Sequence, residues 1–154
     1  MVNDGVMFVS TPYNHVLALD ARTGNLYWRY EHDNPADLGV MHNTSRGVAL
    51  WQDRVYAAGL DGTLNALDAK TGKRLCQARI GDWEIGAYIT TAPMPIEGKI
   101  LVGPSGGEYG VRGFLEAMDA DDCQQAWRTY SVPGPGEPGH ETWLPEGPRP
   151  DAWK

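Results

Sequence analysis

Residues 18–24 read ALDARTG, residues 66–72 read ALDAKTG and residues 117–123 read AMDADDC. The second copy follows the first by 48 positions and the third follows the second by 51. Each copy is preceded by a β-rich run broken by a turn: DGVMFVST at 4–11, QDRVYAAG at 52–59 and EGKILVGP at 97–104. Each is followed by a further strand-like run: NLYWRY at 25–30, KRLCQARI at 73–80 and QQAWRTYS at 124–131. Alternation and β-branched or aromatic enrichment mark these runs as strands, and no window carries a helical apolar stripe. A unit of about 40–50 residues that forms one small antiparallel sheet is a propeller blade. The expected fold is therefore all-β, with about three four-stranded antiparallel blades.

The repeat explains its own residues. Asp20 and Asp68 end a strand, where a carboxylate accepts bonds from turn amides. Gly24 and Gly72 suit a turn position with positive φ. Trp28 and Trp127 stand eight residues after the aspartate, where a flat ring can fill the gap between neighbouring sheets. Cys76 holds that place in the middle copy as a smaller apolar filler. Cys123 replaces the turn glycine of the third copy, so that turn is expected to be built differently. Residues 1–131 thus read as about three blades of one incomplete domain. Residues 132–154 carry six of the 11 prolines, together with Trp143 and Trp153, and read as an extended loop or inter-blade connection.

Composition excludes several classes. The 154 residues are 42% apolar and 21% charged, as in ordinary globular proteins. No stretch approaches the ~20 apolar residues of a membrane span. A net charge of -7 without a Lys/Arg cluster argues against a nucleic-acid partner. Two cysteines at this spacing suggest neither a disulfide framework nor a metal knuckle. No basic region with an apolar core precedes the first strand, so an export leader is not visible.

Three segments break the repeat, and such loops are where function usually sits. In GVMHNTSRGVAL (39–50), Arg46 precedes an apolar strand start, with His42 nearby. Its guanidinium suits a carboxylate or a quinone oxygen, or serves as a surface arginine. In GAYITTAPMP (86–95), the hydroxyls of Thr90 and Thr91 can bond a ligand or end a strand. In GPSGGEYGVRG (103–113), Ser105, Gly106 and Gly107 offer a hydroxyl and unobstructed amides for an anion. Glu108 follows as a hard carboxylate suited to a cation such as calcium. Arg112 is placed to pair with Glu108 or Glu116. This third segment is an insertion. Val6 to Ala18 is 12 positions and Val55 to Ala66 is 11, but Ile100 to Ala117 is 17.

Together these blocks resemble the N-terminal part of a quinoprotein alcohol dehydrogenase, the methanol/ethanol dehydrogenase family that uses pyrroloquinoline quinone (PQQ). The resemblance rests on DGVMFVSTPYNHVLALDARTGNLYWRY, SRGVALWQDRVYAAGLDGTLNALDAKTGK, TTAP, and GGEYGVRGF followed by AMDA and a tryptophan. It implies an eight-bladed, periplasmic propeller that oxidises a primary alcohol by hydride transfer to the quinone, with a cytochrome c as electron acceptor. It further implies that Arg46 bonds the quinone oxygens and that Thr90 bonds one cofactor carboxylate. Ser105, Gly106 and Gly107 hold another, and Glu108 binds the calcium or lanthanide ion. The adjacent cysteine pair that many members carry before this arginine is replaced here by Val40, Met41 and His42, and Ser45 stands where Asn is common. By the same resemblance the catalytic aspartate and the other metal ligands lie beyond Lys154, so this stretch alone is expected to be inactive. A different class of function is a non-catalytic propeller scaffold that binds proteins, or self-associates into a homo-oligomer through open blade edges.

Overall fold

A computed structural model of the chain describes residues 1–142; Trp143 and Trp153 lie outside them. Among the described residues, twelve strands form three four-stranded antiparallel sheets, each laid down in sequence order. Blade 1 holds β1 (Val2–Asn3), β2 (Val6–Ser10), β3 (Val16–Asp20) and β4 (Leu26–Tyr30). Blade 2 holds β5 (Ala49–Trp51), β6 (Arg54–Ala58), β7 (Thr63–Asp68) and β8 (Arg74–Arg79). Blade 3 holds β9 (Met94–Ile96), β10 (Lys99–Val102), β11 (Phe114–Asp119) and β12 (Gln125–Tyr130). The described helical residues are single 3-10 turns, and no helix among them is long and apolar enough to cross a membrane.

The repeat recurs at the level of hydrogen bonds. Each third strand shifts register two residues before its aspartate, at Ala18/Leu19, Ala66/Leu67 and Ala117/Met118. Such a bulge sharpens the twist just ahead of the turn. Asp20 Oδ1 then accepts the Arg22 and Thr23 amides at 2.9 and 2.8 Å, and Asp68 Oδ1 accepts those of Lys70 and Thr71. The turns close through Gly24 N–H to Asp20 O and Gly72 N–H to Asp68 O, both 2.8 Å. In blade 3 the Cys123 amide donates to Asp119 O at 3.1 Å, with φ of 61° beside 76° and 72° for the two glycines. The third turn is therefore built as the other two are, contrary to the expectation from its missing glycine.

Period-2 alternation on the middle blade explains the packing. On β6, Val55 and Ala57 join Phe8, Val16, Ala18 and Leu67 in a core between blades 1 and 2. The alternate residues Tyr56 and Ala58 join Leu64, Ile80, Ile100, Val102 and Met118 in a core between blades 2 and 3. Both faces of β6 are buried because a blade lies on each side.

A second expectation is corrected at the cysteines. Cys76 on β8 and Cys123 after β11 are joined in a disulfide across the two blades, with Cα atoms 6.0 Å apart. Each cysteine read inside its own blade has no partner, and only the packing of blade on blade brings the two together.

Candidate functional site

The three irregular segments leave equivalent ends of neighbouring blades. Arg46 precedes β5, Thr90 lies between β8 and β9, and Ser105 to Glu108 lie between β10 and β11. The structure brings them together. Arg46 Nη1 donates to Thr90 Oγ1 and, at 3.3 Å, to Thr90 O. The Arg46 amide bonds the same carbonyl at 3.1 Å. Thr90 Oγ1 shares a hydrogen bond of 2.7 Å with Ser105 Oγ. One guanidinium and two hydroxyls from three separate segments thus form a continuous polar row. Thr90, in the middle, is buried, whereas Arg46 is exposed.

The connector carrying Thr90 also anchors the glycine-rich insertion. Ser105 N–H donates to Tyr88 O at 2.7 Å. A Cβ on Gly106, whose φ is +107°, would lie 2.0 Å from Gly86 O, so only glycine lets the two backbones approach this closely. Gly107 has nothing within 4 Å of its Cβ direction and is exposed. Glu108 follows, also exposed, and Tyr88 Oη donates to its Oε1 at 2.6 Å. That bond pushes the Tyr88 phenol up to about 12. The same bond holds the Glu108 carboxyl below its usual range, with a smaller pull from His42.

Tyr88 is the residue that sequence reading passed over. It is buried, and it lies two positions before Thr90, so in an extended segment both side chains face one side. Arg112 does not pair with Glu108 or Glu116. It stacks on Tyr130, donates to Val132 O at 2.8 Å and pairs with Glu137. Glu116, 1% exposed, is taken by Arg128, its cross-strand partner in register. His42 and Thr91 are exposed loop residues. Among the described residues no group of three or more His, Cys, Asp and Glu is gathered for a metal, so Glu108 offers a single carboxylate.

Sheets of four antiparallel strands, each with the same bulge and aspartate turn, define the chain as β-propeller blades. Within that class, residues 1–154 match the PQQ glucose/ethanol/alcohol dehydrogenase beta-propeller domain, and the chain belongs to that family. It is 46% identical over 140 residues to quinohemoprotein alcohol dehydrogenase ADH IIB of Pseudomonas putida, covering 87% of this chain and 20% of that one. Among solved structures it resembles a europium-containing methanol dehydrogenase, with a TM-score of 0.82 and 35% identity over 88% of this chain and 25% of that one. It is also similar to quinohemoprotein alcohol dehydrogenase ADHIIG of Pseudomonas putida HK5, with a TM-score of 0.80 and 40% identity over 96% of this chain and 22% of that one. The chain therefore spans about a fifth to a quarter of the length of these relatives.

Proposed function

We propose that this chain supplies part of the cofactor site of a PQQ-dependent alcohol dehydrogenase acting on a primary alcohol, with a cytochrome as electron acceptor. The observation that carries the reading is the Arg46–Thr90–Ser105 row, with the Gly106–Gly107 backbone and the Glu108 carboxylate at its end. Its donor chemistry fits the group: a permanent cation, hydroxyls and the exposed Gly107 backbone beside the buried Gly106 for the carboxylates and oxygens of a quinone, and a hard oxygen for a cation. The quinone, when bound, supplies the acceptor for hydride from the alcohol.

Arg46 would set a fixed positive charge toward a bound quinone, which gains negative charge on reduction. Its Nη1 is engaged by Thr90, and a guanidinium carries five N–H donors in all. Thr90 would orient one carboxylate, and Ser105 with the Gly106 and Gly107 amides another; the bond the two hydroxyls share uses one of their two protons, so it has to open for both to donate. Glu108 would give one oxygen ligand to a calcium or lanthanide ion. Such ions take about six to eight oxygens, so further ligands have to come from outside these residues. We place the protein in the periplasm, and a disulfide that needs an oxidising compartment supports this.

The test is PQQ binding to the chain, followed by quenching of tryptophan fluorescence with calcium present. Arg46→Ala should weaken binding at least tenfold, and the chain alone should give no alcohol-dependent dye reduction. Equal affinity of the Arg46→Ala variant, or turnover by the chain alone, would overturn the assignment.

A further inference from the structure

The repeat can be numbered from the aspartate that ends each third strand. One position on stand Ala69 and Ala120; four on stand Gly72 and Cys123; eight on stand Trp28, Cys76 and Trp127. Between blades 1 and 2 the tryptophan docks on the next turn. A Cβ on Gly72 would lie 2.5 Å from Trp28 Cε3, so the ring rests on the bare glycine. The indole N–H donates to Ala69 O at 3.0 Å.

Between blades 2 and 3 the same two positions are Cys76 and Cys123, and they are bonded to each other. The carbonyl one place after the aspartate, Ala120 O, accepts from Tyr56 Oη at 2.6 Å and from Arg54 Nη1 at 3.1 Å. Blade 1 has Val6 and Phe8 where blade 2 has Arg54 and Tyr56, by matched strand register, and neither side chain carries a donor. The two tasks of the indole are thus divided. The disulfide takes over the contact with the turn, and the phenol and guanidinium take over the carbonyl.

We infer that Cys76–Cys123, with Tyr56, is a covalent substitute for the tryptophan dock, and that closure of the joint between blades 2 and 3 depends on thiol oxidation. In closing, the two thiols lose two protons and two electrons as one S–S bond forms. An incoming disulfide, protein-borne or small, is cleaved to two thiols and takes them up by exchange. The inference stands on the repeat and the packing, independently of the cofactor reading.

The substitution has a reciprocal logic that can be tested on the full chain. A tryptophan at 76 needs glycine at 123, because any Cβ there meets the ring. Peptide mapping without reductant should find Cys76 linked to Cys123. Dithiothreitol should lower the melting midpoint of the native chain by about 10 °C, as expected for opening a loop of this length. The paired swap Cys76→Trp with Cys123→Gly should melt above the reduced native chain and ignore reductant. Cys76→Trp alone should melt below the reduced native chain or fail to fold. Free thiols in the mapped chain would overturn the proposal. So would a paired swap no more stable than Cys76→Trp alone, including one that does not fold.

Discussion

Gly24 and Gly72 occupy the same turn position with φ of +76° and +72°, yet their surroundings differ. A Cβ on Gly24 would meet nothing within 4 Å, while one on Gly72 would lie 2.5 and 2.7 Å from Trp28 Cε3 and Cδ2. Gly24→Ala therefore measures the left-handed backbone cost alone, about 1 kcal/mol. Gly72→Ala carries that cost plus the displacement of the ring, about 1–3 kcal/mol of overpacking, for a total of about 2–4 kcal/mol. Trp28→Ala removes the half-buried ring and should itself cost about 3 kcal/mol. In that background there is nothing left to clash with, so Gly72→Ala should fall back to the Gly24→Ala value. The coupling between positions 28 and 72 is then about 1–3 kcal/mol. Urea unfolding followed by circular dichroism resolves each term, provided the m-values agree across the series. Equal losses at Gly24 and Gly72, or a Gly72→Ala cost that survives removal of Trp28, would refute the docking argument.

Two further expectations follow from the charges. Arg128 pairs with the buried Glu116, donates to Ile80 O at 3.0 Å and stacks on Phe114, so Arg128→Met should cost about 3 kcal/mol by leaving a buried carboxylate unpaired. Burial already raises the Glu116 carboxyl, so the loss should shrink as pH falls and the group is neutralised; a deficit independent of pH would count against this. Asp20 is held at about 2, first by the Tyr27 hydroxyl and then by the Thr23 and Arg22 amides. A depressed carboxyl contributes stability above its unfolded value of 3.8 that is lost as pH falls toward about 2. Asp20→Asn should therefore flatten the urea midpoint between pH 4 and pH 2, and an acid limb as steep as that of the native chain would exclude the role.

The parts of the molecule legible in the sequence are those with local causes. Strand period, the Asp turn and the positive-φ glycine each depend on residues within a few positions, so three copies could be read off directly. The segments that carry Arg46, Thr90 and Ser105–Glu108 were legible for the opposite reason, because they interrupt that period. Contacts between blades were not. Nearness in sequence pointed Arg112 to Glu108 or Glu116, but strand register sets Glu116 opposite Arg128 and leaves Arg112 to Glu137. Tyr88 was hidden because its importance lies in the 20-residue reach to Glu108. The cysteines were hidden by being read within single copies; only aligning position eight of one copy with position four of the next sets them side by side.

The joint between blades 2 and 3 thus departs from the repeat at two places. One holds the Arg46–Thr90–Ser105 row, and the other holds a disulfide where blades 1 and 2 use an indole on glycine. A docked ring is held by dispersion and one hydrogen bond. The proposed cofactor site, drawn from both blades, would tolerate displacements of only about 0.5 Å before its donors lose their geometry. Within this chain, Arg46 comes from the approach to blade 2, and Ser105 and Glu108 come from blade 3, with Thr90 as their shared bridge. A covalent bond joins these same two blades directly, whereas an indole dock rests on non-covalent contacts alone.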